Sequence, residues 1–311
     1  MLHYQNYKNK IVRDLAWVIA SPPLLQNINH LDLFFSKSYY NNEFKKFRKL
    51  LTKLDDNPDG LTEFVENRNT HLLGKYFESL VEFWLLNCGD KKLLAHNLQV
   101  FKVRNTIGEF DFVYRNLDDG KVYHLECAGK FYLAHKNTSK LSNFIGPNSI
   151  DNLEQKVKKI VDEQIALAKT DEGKEALFIE GIEEEVVPKI FLKGYLFYYA
   201  DLYFENIFIQ PKFSEPNHPK GWWIFSKDVD YFFSRKQSKW IIVDRIEWIS
   251  KVIEHDNNKM LSNSELIEKL KNYFKNNTYP LLIAELEEDD NYYQEISRGF
   301  IVSNTWPNTK L

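Results

Sequence analysis

A chain of 311 residues is long enough to bury a full core, as one large domain or two modest ones. With 43% apolar and 27% charged residues it has the composition of a soluble globule, and a net charge of -3 argues against a protein coated by nucleic acid while leaving room for a small basic cleft. Only Cys88 and Cys127 are present, which excludes a disulfide scaffold and a four-thiolate zinc site; with no signal-peptide pattern and no apolar run of membrane-spanning length, a cytoplasmic enzyme or binding protein without a membrane partner is expected.

Residues 1–87 read as helical. The stretch 44–51 is amphipathic with a basic face, and Pro58-Asp59-Gly60 marks a turn. The spacing of Leu72, Leu73, Tyr76, Phe77, Leu80, Val81, Trp84 and Leu85 predicts a helix over 72–86. His71, Lys75, Glu78 and Glu82 form its polar stripe, and Gly89 is placed to cap its end. Residues 93–103 read as extended. Strands over 109–115 and 122–133 then flank a tight turn at Leu117-Asp118-Asp119-Gly120. Residues 148–169 are expected to be mostly one helix, capped by Ser149, with Ile150, Leu153, Val157, Ile160, Ile165 and Leu167 on its apolar side. Residues 187–198 read as a buried strand. A late helix covers 266–274, with Ser262 and Glu265 spaced as a capping box, and 281–286 reads as a final strand. The order helix, strand, hairpin, helix, strand points to an α/β arrangement with a mixed sheet; the Gly-rich first turn of a dinucleotide fold is absent.

The chemistry concentrates on the hairpin, in Gly108-Glu109-Phe110-Asp111-Phe112 and His124-Leu125-Glu126-Cys127-Ala128-Gly129-Lys130. If Asn116 pairs with Lys121, Asp111 falls opposite Glu126 with β-carbons about 5 Å apart. Two facing carboxylates need a metal, a proton or a cation between them. Mg2+ or Mn2+ suits such oxygens, with the Cys127 carbonyl as a third ligand and Glu78, from the preceding helix, in the outer shell or a second metal position. Lys130 would orient water or stabilise transition-state charge. An ideal strand separates it from Glu126 by about 13 Å, so it needs a bulge at Gly129 or a long reach. An ion pair of Lys130 with Glu126 is the structural alternative, and solvated strand or helix faces are the alternatives for Asp111 and Glu78.

Around this pair, His96, Asn97, His124, Lys136, Lys140 and Lys156 are candidate substrate contacts. Structural hydrogen bonds are the simpler account of His96 and His124, and a solvated helix face is the simpler account of Lys156. Strand alternation turns Cys127 into the core, away from any role as nucleophile. Trp222-Trp223 reads first as core packing and second as a base-stacking platform.

The strings Gly74-Lys75-Tyr76-Phe77-Glu78-Ser79-Leu80, Leu94-Ala95-His96-Asn97-Leu98, Gly108-Glu109-Phe110-Asp111-Phe112, Glu126-Cys127-Ala128-Gly129-Lys130-Phe131-Tyr132-Leu133, Gly146-Pro147-Asn148, Lys193-Gly194-Tyr195-Leu196-Phe197 and Gly221-Trp222-Trp223 together resemble the bacterial family of domain of unknown function 1853, over most of the chain. That family looks like a divergent branch of the restriction-endonuclease-like fold. The resemblance implies a core of central mixed β-sheet flanked by helices over 71–210, a helical N-terminal elaboration over 1–70 and a mixed C-terminal elaboration over 211–311. It matches Asp111 to the first acid, Glu126 to the second and Glu78 to the helix acid. The pattern's lysine falls on Ala128, a departure for which Lys130 would compensate. The expected function is a metal-dependent nuclease acting on DNA or RNA through metal-activated water. The alternatives are a catalytically silent nucleic-acid-binding or scaffold protein on the same fold, and a metal-dependent phosphoesterase for small molecules.

Overall fold

The computed structural model describes residues 4, 6–26, 28, 32–68 and 71–307; the helical reading of 1–87 also covered positions, residues 69 and 70 among them, that lie outside the described residues. In chain order the elements are α1 (Lys10–Ala20), α2 (Lys37–Asp56), α3 (Asp59–Glu66), α4 (Leu73–Asn87), β1 (Lys91–Lys102), β2 (Asn105–Asn116), β3 (Val122–Ala134), β4 (Phe144–Ile145), α5 (Leu153–Lys159), α6 (Asp171–Ile179), β5 (Val186–Tyr199), α7 (Ala200–Glu205), β6 (Lys220–Phe225), α8 (Val229–Phe233), β7 (Lys239–Val243), β8 (Ile253–Glu254), α9 (Asn263–Asn276), β9 (Leu281–Asp289) and β10 (Tyr292–Val302). A π-helical turn (Ile160–Gln164) follows α5 directly. The chain is α/β, with a large mixed sheet flanked by helices. Among the described residues no helix is long and apolar enough to cross a membrane.

Two compact units form, each from non-contiguous segments. The first comprises residues 1–130, 155–194 and 213–218. Its strands β1, β2 and β3 make an antiparallel meander. Helix α1 is buried from Val12 to Ala20, because Val12, Leu15, Ala16, Val18 and Ile19 leave little polar surface. Its buried Asp14 accepts from Lys10 Nζ and from the Tyr76 hydroxyl of α4, each at 2.7 Å. Helix α4 lays Phe77 against Gly129, where an added Cβ would sit 3.0 Å from the ring. Val100, Phe110, Val113 and Val122 of the meander pack with Leu167, Leu177 and Ile182.

Gly194 of β5 has φ +143, and a Cβ there would collide with the Lys130 carbonyl. Both the backbone conformation and the space require glycine. Gly194→Ala is therefore expected to destabilise by about 3 kcal/mol or more. A lowered urea midpoint at unchanged slope checks this, and a wild-type midpoint would refute it.

The second unit comprises residues 131–154, 195–212 and 219–311. The end of β5 runs parallel to β6, and β6 parallel to β10; β10 and β9, then β9 and β7, pair antiparallel. Trp222, Ile224, Phe233, Trp240, Leu266, Leu270, Ile283 and Ile301 form its core. Helix α9 starts with the predicted Ser262–Glu265 capping box.

Several local expectations are revised. The turn marked at Pro58-Asp59-Gly60 is confined to Asn57 and Pro58, between the end of α2 and the start of α3, and Asn57 Oδ1 accepts from the Asp59 N–H at 3.2 Å. The helix expected from 148 starts only at Leu153. Before it, Gly146 N–H donates to Asp151 O and Ser149 N–H to Gly146 O, closing a loop on itself. Ser149, at φ +58, is no cap, and Ile150 is exposed. The strand at 281–286 is not the last, because β10 follows it. Glu295 and Arg298 hid β10 from the sequence: a buried ion pair at 2.6 Å breaks the apolar alternation by which strands are recognised. Both indoles of Trp222-Trp223 are buried, donating to Ser297 Oγ and Ala134 O, so neither offers a stacking platform.

Candidate functional site

The β2–β3 turn sets the register of everything beyond it. Asn116 N–H donates to Lys121 O at 2.9 Å, and the ladder runs from Arg115 opposite Val122 to Phe112 opposite Leu125. The next pair in that register is Asp111 and Glu126, as the turn predicts. There the ladder stops, and Asp111 Oδ2 accepts the Cys127 N–H at 2.9 Å. Phe110 and Val113 pack in the same cluster although they are three residues apart, which a flat strand would put on opposite faces. On the other side, Asn97 falls opposite Asp111 by the register of His96 with Phe112 and Leu98 with Phe110, and it has φ +50.

Glu126 is 1% exposed. Its Oε1 accepts from Gln164 Nε2, and Gln164 Oε1 accepts from Lys156 Nζ at 3.2 Å. Its Oε2 has no hydrogen-bond partner and lies 3.9 Å from His124 Nε2. Burial, and then the Asp111 charge, push Glu126 up to about 9. Burial raises Asp111 to about 6 against the Cys127 N–H, which favours its charged form; Glu78 adds to the rise, and Lys156 opposes it. Burial lowers Lys156, while Glu126 holds it up. Burial takes His124 down to about 4, leaving a neutral imidazole against the Phe110 ring at 4.8 Å. Burial and mutual repulsion thus both disfavour two charged carboxyls here, and a proton or a cation would relieve the pair.

The remaining candidates divide. Glu78 is held by Lys75 Nζ at 2.6 Å. Among the described residues, no group of three or more His, Cys, Asp or Glu is gathered to hold a metal ion. Glu78 is thus engaged by Lys75 in this structure, and its charge adds to the rise of Asp111. Glu82 cannot substitute for it, because Arg68 grips both its oxygens. His124 has no exposed surface, so it borders Glu126 and does not meet substrate. His96 is exposed, 3.8 Å from Glu82 Oε1, and stacks on Phe112. Lys130 is half-buried, and its positive charge helps lower Lys156. Cys127 is a core residue whose thiol burial pushes up. Lys136 and Lys140 are exposed in the second unit. The Asp111–Glu126 pair, with Glu126 Oε2 unpartnered, offers carboxylate oxygens of the kind a hard cation takes.

The family described as domain of unknown function (DUF1853) matches residues 13–302. The chain belongs to this family. No curated protein and no solved structure matches it.

In this DUF1853 chain Gln164 is a neighbour of the pair that the sequence does not signal. Lys156, a candidate substrate contact whose simpler account is a solvated helix face, is half-buried and bonded to Gln164. The π-helical turn makes that contact: Ile165 N–H donates to Ile160 O, five residues back, widening the helix just before Gln164. A glutamine that follows Asp162 and Glu163 gives no sign of this, since a run of polar residues on a helix reads as solvated.

Proposed function

We propose that this DUF1853 protein hydrolyses phosphodiester bonds of nucleic acid on a restriction-endonuclease-like core, with Asp111 and Glu126 as the carboxylate ligands of Mg2+ or Mn2+ and the Cys127 carbonyl as a third oxygen. The observation that supports this is the half-buried Asp111 facing the buried Glu126 at the point where the hairpin ladder opens, with Glu126 Oε2 unpartnered. Strongly perturbed carboxyls beside a half-buried lysine are the environment in which catalytic groups are found. When bound, a divalent cation would neutralise the phosphate and lower the pKa of a water. Gln164 fixes the rotamer of Glu126 and carries Lys156. Lys156 supplies the positive charge that the pattern's lysine would bring, in place of Ala128. Glu78, tied to Lys75, raises the negative potential without binding.

The second reading, a silent nucleic-acid-binding or scaffold protein, draws on that same withdrawal of Glu78. Single- and double-stranded DNA and RNA, and bis(p-nitrophenyl) phosphate, separate the two when incubated with Mg2+ or Mn2+. Turnover that Asp111→Asn abolishes supports the hydrolase. Metal-independent binding with no turnover on any substrate supports the silent protein.

A further inference from the structure

We propose that the tip of the β1–β2 hairpin grips double-stranded DNA by entering its major groove. This rests on the nucleic-acid reading above and names its substrate class. Strands β1 and β2 pair out to their end, with Val100 opposite Gly108, Phe101 opposite Thr106 and Lys102 opposite Asn105. Val103 and Arg104 make the turn, and residues 101–107 are all exposed.

Val103 is 95% exposed at φ +60. A β-branched residue is strained in that conformation, which Asn or Gly adopts readily in a two-residue turn. The side chain also buries nothing. Neither backbone preference nor packing selects valine here, so a contact outside the chain accounts for it. Phe101 and Ile107, 54% and 42% exposed, extend the apolar surface.

Charge complementarity points to the partner. Between Val100 and Gly108 the chain carries Lys102 and Arg104 and no acid. Lys102 pairs with Glu172 at 2.8 Å, whereas Arg104 has no ion pair among the described residues. The major groove of DNA, about 12 Å wide, admits a two-stranded β-ribbon. It offers thymine methyls to an apolar apex and guanine edges to an arginine. The major groove of an RNA duplex is too narrow for side chains to read. Asn105, beside the turn, lies six residues from Asp111 along β2, roughly 20 Å. A tip seated in a groove about 8.5 Å deep therefore meets the phosphate backbone about 12 Å short of Asp111, so the tip grips the duplex apart from the carboxylate pair.

The test is fluorescence anisotropy without metal, on the full chain, with DNA and RNA duplexes of one sequence. Val103→Gly and Arg104→Ala are each expected to weaken binding to the DNA duplex about tenfold. The wild type is expected to prefer DNA to RNA. Val103→Gly relieves the turn, so its melting temperature should match or exceed that of wild type, which separates lost binding from lost folding. Unchanged DNA affinity in both variants, equal affinity for the two duplexes, or wild-type binding only to anionic lipid vesicles overturns the proposal. Because binding is read without metal, a protein that grips DNA through the tip but hydrolyses nothing refutes only the hydrolase. A hydrolase indifferent to both substitutions refutes only the tip.

Discussion

Asp111→Asn and Glu126→Gln are each expected to lower metal-dependent phosphodiester cleavage at least about 100-fold, because each removes one of the two carboxylates available to a cation. Lys156→Met should lower kcat by about 10- to 100-fold with KM little changed, as befits a charge used on the transition state more than on bound substrate. Lys130→Met should cost less, since the bridge through Gln164 holds Lys156, not Lys130, beside Glu126. Steady-state kinetics on a nucleic-acid substrate and on a small diester settle the order. A larger loss from Lys130→Met would move the charge-stabilising role to that residue. Undiminished cleavage by Asp111→Asn would remove the site altogether.

The second large effect is on stability, and its sign is unusual for a carboxyl group. Glu126 has an ordinary value of 4.5 and is pushed up to about 9 in the fold. Between those values the folded state binds more protons than the unfolded chain, so its contribution is present below the lower value and lost as pH rises toward the upper one. Asp111, raised to about 6, acts in the same direction over a narrower range. His124, lowered from 6.5 to about 4, acts oppositely between those values, so the carboxyl effect stands clear only above about pH 6.5.

Glutamine at 126 mimics the protonated acid and can still accept from Gln164. Metal-free Glu126→Gln should therefore exceed wild type in stability by on the order of 3 kcal/mol near pH 8, and by much less near pH 5. Denaturant melts in the presence of a chelator measure this. Millimolar Mg2+ or Mn2+ should then stabilise wild type and leave the variant unchanged. A variant less stable than wild type at the higher pH would mean that Glu126 is already paired in the metal-free fold.

The features legible in the sequence were those with a local cause. A tight turn at 117–120 carries its register outward one residue at a time, so Asp111 and Glu126 could be placed opposite each other from the turn alone. The apolar spacing of α4 and the capping box of α9 were equally local. Polar residues whose partners are distant were misread. Lys156 reads most simply as solvated yet bonds to Gln164, and β10 is hidden by Glu295 and Arg298, whose guanidinium also donates to the Trp248 and Ser250 carbonyls.

By itself the sequence determined the α/β order of elements, the hairpin register and the identity of the carboxylate pair, because short-range turn geometry and side-chain periodicity encode all three. Only the tertiary structure decided what surrounds that pair: Gln164 brought onto Glu126 from a π-helical turn 38 residues away, and His124 sealed from solvent. The reason is physical. Whether a charged side chain is desolvated, paired or free depends on which distant segments pack over it, and desolvation is the largest cause of the shifts in Glu126, Asp111 and Lys156.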